Sequence, residues 1–205
     1  MRNRLIIMAR FPEPGRAKTR LIPLLGPVGA ALVHQELVVL TLNVARTFVY
    51  HFNDNIACDV EVRFTGRTTP RIMEDLFGGG ANYVEQGPGD LGQRLHEASQ
   101  SAFDQGVSRV VLIGTDCPGL TPTLLKSAFD TLHTNDVAIG PALDGGYYLI
   151  GLKQGQFELF TDIPWGGDEV LSKTLQVSTR LNLSVYQLTP LSDIDTPDDY
   201  QAWRG

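Results

Sequence analysis

The sequence predicts a three-layer α/β/α fold on a mixed, mainly parallel sheet with one antiparallel strand. Three observations carry that expectation. Apolar runs of strand length alternate with helical patterns along almost all of the 205 residues, the signature of a sheet covered on both faces. Two of the runs, 136–141 and 146–152, are joined only by Ala142-Leu143-Asp144-Gly145. That is too short for a crossover helix, so the two form a hairpin and one strand runs backwards. Composition is that of a globular chain, 42% hydrophobic and 20% charged, which provides a real core and argues against disorder or a coiled coil.

The elements follow in order. A first strand spans about 4–10, around Leu5-Ile6-Ile7-Met8-Ala9. Its apolar stretch is shorter than the roughly 7–15 residues of a signal-peptide core, so it reads as a buried strand. Pro27 suits a first helical turn, and 28–50 is long and apolar enough to pack across a sheet. Strands at 60–64 and 82–86 come next. Leu91, Leu95, Ala98 and Ala102 then line one helical face. After a strand at 109–114, Thr121 caps a helix with Pro122 at its first position and a stripe of Leu124, Leu125, Ala128, Phe129 and Leu132. The hairpin follows, and alternating Leu181, Leu183 and Val185 mark a last strand. No repeat, low-complexity tract or linker divides the chain, so residues 1–205 read as one domain.

Compartment and partners are bounded in the same way. No uninterrupted apolar run approaches the roughly 18–20 residues of a membrane span, and the expectation is a cytoplasmic protein without one. Cys58 and Cys117 are too few for a disulfide framework and lack metal-ligand spacing. The formal charge of −6 argues against a general nucleic-acid binder, which needs an extended positive surface. The charge is uneven, however. Residues 1–20 hold Arg2, Arg4, Arg10, Arg16, Lys18 and Arg20 against Glu13 alone, so a small anion is a natural ligand.

The segments that leave strand ends carry the candidate chemistry, because ligands of open α/β sheets collect there. The first strand runs into Arg10-Phe11-Pro12-Glu13-Pro14-Gly15-Arg16-Ala17-Lys18-Thr19-Arg20. Pro14 stiffens this loop, Gly15 permits a positive φ, and the density of cations suits a di- or triphosphate. It is not a P-loop, since the earlier glycine of GxxxxGK[ST] is missing. Asp116, at the tip of the strand 109–114, is poorly solvated and needs a partner, for which a divalent cation is suitable. Asp193 and Asp195 follow the last strand and could join it, although Asp195 could equally cap the helix that starts near Pro197. Gly87, Gly89, Asp90 and Gln93 leave another strand end, where glycines would admit a flat base or sugar. Asp144, Gly145, Gly146 and Tyr147 form a turn, and Trp165 offers a platform for a sugar, or else a core or lid aromatic. No Ser-His-Asp or Cys-His arrangement is evident.

In this order, Phe11-Pro12-Glu13-Pro14-Gly15 with Lys18-Thr19-Arg20-Leu21, Gly89-Asp90-Leu91-Gly92-Gln93-Arg94, Gly114-Thr115-Asp116-Cys117-Pro118, Asp144-Gly145-Gly146-Tyr147-Tyr148-Leu149-Ile150-Gly151 and Asp193-Ile194-Asp195-Thr196 resemble one family. It is DUF2064, the radical-SAM/selenodomain-associated transferase 1 group, within the nucleotide-diphospho-sugar transferase superfamily. The resemblance covers nearly the whole chain and departs only after Trp165, where a Ser or Thr is expected near Gly166-Gly167.

It implies a Rossmann-like GT-A fold and a metal-dependent transferase using a nucleotide-activated donor. A glycosyltransferase is the leading form. A nucleotidyltransferase that takes an NTP and releases pyrophosphate is the alternative, and a non-catalytic nucleotide-sugar binding module is a third reading. By resemblance, Arg10, Pro14, Gly15, Arg16, Lys18, Arg20, Gly89, Asp90 and Gln93 bind the nucleotide and its phosphates. Asp116 and Lys18 are catalytic, and Asp116 with Asp193 and Asp195 binds Mg²⁺ or Mn²⁺. Asp144, Gly145, Gly146, Tyr147 and Trp165 meet the sugar or the acceptor. A homodimer is compatible with all of this.

Overall fold

A computed structural model describes residues 2–52 and 56–205. Among the described residues seven strands form one sheet: β1 (Asn3–Arg10), β2 (Cys58–Thr65), β3 (Asn82–Glu85), β4 (Arg109–Ile113), β5 (Val137–Pro141), β6 (Tyr147–Leu152) and β7 (Val185–Gln187). Their spatial order is β3-β2-β1-β4-β6-β5-β7. Only β6 runs against its neighbours, pairing antiparallel with both β4 and β5. The hairpin read from the four-residue connector is therefore present, and the mixed, mainly parallel sheet is as expected. Alternation near the C-terminus was read one turn too early. Leu181 closes a helix and Asn182 takes a left-handed φ of 54°, so the edge strand begins only at Val185.

Alternate strand residues send side chains to opposite faces, and helices cover both. On one face α1 (Ile22–Phe52), α2 (Pro70–Phe77) and α4 (Pro122–Thr131) bury Val38, Leu42, Phe48, Met73, Phe77, Leu125 and Phe129 against Leu5, Ile7, Val62, Val111 and Leu149. On the other, Leu95, Ala98 and Ala102 of α3 (Leu91–Asp104) pack with Ile6, Val110, Leu112, Ile139 and Ile150, and Leu171 and Leu175 of α5 (Val170–Arg180) join that core. The last helix, α6 (Pro197–Arg204), starts at a Thr196 cap with Pro197 behind it.

Helix α1 breaks at Gly26 (φ 69°, ψ 168°) and restarts at Pro27, so the proline does sit at a helix start. It also bears on the membrane-span expectation. Residues Thr19–Phe52 make one helix long and apolar enough, by length and composition, to cross a bilayer. An uninterrupted-run criterion passes over it because the short polar run His34-Gln35-Glu36 and single residues such as Asn43 interrupt the apolar sequence without lowering the average much. Half of its most apolar stretch is buried in this fold, where it forms the wall of the first core.

Candidate active site

The carboxyl ends of β1 and β4 open toward one another, and three short segments converge there. The first is the loop after β1. Phe11 N bonds Thr65 O at 2.8 Å, which carries the loop past the end of β2. Arg16 N and Ala17 N both donate to Glu13 O, at 3.0 and 3.1 Å, and Gly15 turns the chain with φ 81°. Lys18 then takes a left-handed conformation (φ 47°, ψ 49°), which a residue with a side chain seldom adopts. That twist turns its side chain inward, where it is only 4% exposed.

The second segment is the tip of β4. Ile194 N donates to Asp116 O at 2.9 Å, clipping the 193–195 segment to it. Ile194 is itself buried against Leu21, Ala30, Val33 and Leu37. Its two neighbours, Asp193 and Asp195, are thereby fixed beside Asp116. Lys18 Nζ lies 2.7 Å from Asp116 Oδ1 and 3.4 Å from Asp195 Oδ1, and Arg20 pairs with the second oxygen of Asp195. The cap of α6 is made by Thr196 with Asp199, so Asp195 is left to face these cations.

The four cations of the loop thus part company. Lys18 and Arg20 meet carboxylates, Arg16 pairs with Glu13 at 3.4 Å on the surface, and Arg10 is exposed at the end of β1. Sequence reasoning missed His34. Its Nε2 donates to Arg10 O at 3.0 Å from the buried face of α1. Burial holds its pKa below the usual range, against the pull of the Asp116 charge. The available signal was a histidine on the apolar face of a helix packed beside the loop. Gln86 heads the segment that leaves β3. Its side-chain amide donates to Ala9 O and Arg63 O, at 3.1 and 2.8 Å, and ties the ends of β1 and β2 to that of β3.

The residues at the start of α3 have local duties. Gly89 has φ 101°, Asp90 Oδ1 accepts from Gln93 N, and Gln93 Oε1 accepts from Asp90 N. This is a complete capping box, so both side chains are engaged within their own turn.

The third segment is the 144–147 turn with the loop that holds Trp165. Gly145 (φ 92°) lies so close to the Asp168 backbone that any Cβ there would clash, and Leu171 N donates to Gly145 O at 2.9 Å. Asp144 Oδ1 accepts from Gly146 N at 2.8 Å. Tyr147 and Trp165 meet edge to face, with centroids 6.1 Å apart. A Cβ at Gly92 would run into Trp165 and Phe160 O, so this glycine gives the indole its seat against α3. Between these segments lies a cavity of about 390 Å³, whose lining includes Asp116, Asp144, Tyr147, Trp165, Asp193 and Asp195.

Electrostatically the cavity is acidic. Burial, and then the charge of Asp144, push the Asp193 carboxyl above its usual range. Burial, reinforced by Asp193, pushes the Cys117 thiol up to about 12, so it is a packed, protonated side chain and no nucleophile at neutral pH. Among the described residues no three His, Cys, Asp or Glu side chains converge tightly enough to cage a metal. Two carboxylates, Asp116 and Asp195, do converge on one ammonium. An all-oxygen pair already arranged around a cation fits Mg²⁺ or Mn²⁺, which commonly take one or two carboxylates and complete their shell with phosphate oxygens.

The sequence profile of an uncharacterized protein conserved in bacteria (DUF2064) matches residues 48–167. The chain is similar to a "putative nucleotide-diphospho-sugar transferase" from Desulfovibrio desulfuricans G20, with 32% identity, a TM-score of 0.88, and 98% of this chain and 85% of that one covered. A nucleotidyl transferase from Methanothermobacter shares the fold at 17% identity and TM-score 0.64, covering 98% and 95% of the two chains. So does glucosyl-3-phosphoglycerate synthase from Mycobacterium tuberculosis, solved with Mn²⁺, UDP and glucosyl-3-phosphoglycerate, at 15% identity and TM-score 0.57, covering 98% and 75%. No curated protein matches the chain.

Proposed function

The chain belongs to the DUF2064 family, and on that premise we propose that it is a metal-dependent transferase with a nucleotide-activated donor, working as a glycosyltransferase. The observation that carries this reading is the pairing of Lys18 with Asp116 at the strand tips, backed by Asp195 and Arg20. Structures of the same fold belong to transferases of both the nucleotide-sugar and nucleotidyl kinds.

In this reading Asp116 and Asp195 hold Mg²⁺ or Mn²⁺. The bound cation supplies charge neutralisation for the donor diphosphate as it leaves. Lys18 and Arg20, released from their carboxylates, turn to phosphate oxygens, with Arg10 and Arg16 at the mouth of the loop. Gly15 and the left-handed Lys18 give that loop its tight shape. His34 positions it by holding the Arg10 carbonyl. In the transfer, an acceptor hydroxyl oxygen bonds to the sugar carbon as the bond from that carbon to the diphosphate oxygen breaks. The electron pair leaves with the nucleoside diphosphate, and the hydroxyl proton passes to a carboxylate or to water.

The alternative, nucleotidyl transfer, draws support from the number of cations in the loop, which would serve a triphosphate. One experiment separates the two. The protein is incubated with Mn²⁺ and a panel of NTPs and nucleotide-sugars, and the products are resolved. Release of nucleoside diphosphate or slow donor hydrolysis to it supports glycosyl transfer, whereas pyrophosphate supports nucleotidyl transfer. If no donor in the panel turns over or raises Tm with metal, the reading falls.

A further inference from the structure

The cavity beyond Asp116 has two kinds of wall. Met8, Leu95, Ile150, Tyr147 and Trp165 make an apolar and aromatic side that continues the second core. The same cavity is also lined by four carboxylates at its rim, Asp116, Asp144, Asp193 and Asp195. Among the described residues no Lys, Arg or His lines it. The cations that meet the rim, Lys18 and Arg20, come from the loop after β1 and are held on Asp116 and Asp195. Among the described residues no ion pair holds Asp144 or Asp193, and the Asp144 charge adds to burial in raising the Asp193 carboxyl.

We propose that the acceptor is an uncharged or cationic hydroxyl or amine compound with an apolar or aromatic body, and that anionic acceptors such as sugar phosphates are excluded. This inference rests on the donor reading above and specifies what the other half of the same site takes. A phosphate or carboxylate on an acceptor seated against Trp165 would face Asp144 and Asp193 without a counter-ion, and like charges at close quarters reject a partner more effectively than missing contacts do. A neutral ring stacks on the indole, hydroxyl groups donate to the carboxylates, and an amine gains from both the carboxylates and the aromatic face. The apolar wall adds the non-directional part of the affinity.

The test uses the full chain with Trp203→Phe, which leaves Trp165 as the sole indole. Donor-site occupancy is first established by the Tm rise with Mn²⁺ and GDP, UDP, CDP or ADP. With Mn²⁺ and the nucleotide giving the largest rise, Trp165 fluorescence is titrated with phenyl glucoside, its 6-amino-6-deoxy analogue and its 6-phosphate. The neutral and amino compounds are expected to bind at least about tenfold more tightly than the phosphate. Asp144→Asn, which keeps an acceptor for Gly146 N, is expected to narrow that gap and leave the Tm rise intact. Equal or tighter binding of the phosphate, or no saturable change with any of the three, overturns the inference and leaves the donor reading standing. A nucleotide panel that never raises Tm overturns both.

Discussion

On the α1 side of Asp116 the chain gathers Arg10, Arg16, Lys18 and Arg20 into one loop. On the α3–α5 side it surrounds a cavity with Trp165, Tyr147, Met8 and Leu95, and supplies no cation among the described lining residues. The two flanks share a rim of carboxylates at the strand tips. The difference follows from the sheet. β1 leads directly into the basic loop and then into α1, so the cations gather on the first face. β6 runs backwards and starts at the same edge, which brings Tyr147 and the Trp165 loop to the second. One strand reversal therefore separates the basic loop from a cavity lined by aromatic, apolar and acidic side chains.

The largest expected effect comes from the shared rim. Asp116→Asn should lower transferase turnover by at least about 100-fold, the scale of losing a major electrostatic group. It should also abolish the metal-dependent part of the nucleotide-induced Tm rise. Steady-state kinetics and thermal melts read the two effects separately, and a variant with wild-type turnover would remove Asp116 from the chemistry.

On the apolar side, Gly92→Val forces a side chain into Trp165 and Phe160 O. It should cost about 1–3 kcal/mol by overpacking, measured by urea denaturation, and should blue- or red-shift Trp165 emission while metal-dependent nucleotide binding persists. If nucleotide binding were lost equally, the two halves would not be separable.

On the basic side, Lys18→Met removes the ammonium that occupies Asp116. Mn²⁺ alone should then bind about fivefold or more tightly, and the nucleotide should enhance metal binding less than in the wild type, because it no longer frees Asp116 by drawing Lys18 onto phosphate. Calorimetry in the absence of nucleotide decides this. An unchanged or weaker Mn²⁺ affinity would mean that Lys18 does not stand in the cation's way.

The smallest effect lies outside both halves and serves as their control. The Lys153 ammonium, with hydrogen bonds from Ser184, holds the Asp136 carboxyl down at about 2. A depressed acid contributes stability above its ordinary titration range and loses it as pH falls through the folded value. Asp136→Ala should therefore destabilise the β5–β7 edge by on the order of 1 kcal/mol at pH 7. The difference from wild type should close between about pH 4 and pH 2, and donor-site binding should be unaffected.

Much of this architecture was legible in the residue pattern. Strand alternation located β1 to β6 within a residue or two, the four-residue connector revealed the reversed strand, and Thr121-Pro122 marked a real helix start. The segments that carry the family resemblance are ones the fold brings together at the strand ends. What the pattern could not supply was the pairing between distant segments. Lys18 meets Asp116 and Asp195 only because Ile194 is clipped to Asp116 O and the loop twists at a left-handed lysine. Neither event has a local signature. Asp90 and Gln93 show the converse. A capping box is readable from their spacing, and the structure uses both side chains to start α3. His34 lay hidden because one histidine on an apolar helix face says nothing about the carbonyl it meets.

The most direct test of a carboxylate rim that joins metal to nucleotide phosphate is an electron paramagnetic resonance titration of free Mn²⁺ against the wild-type protein, with and without nucleoside diphosphates. Nucleotide should sharply increase the Mn²⁺ bound, and Asp116→Asn should erase that increase. Mn²⁺ binding that ignores every nucleotide, or that survives Asp116→Asn unchanged, would contradict the account.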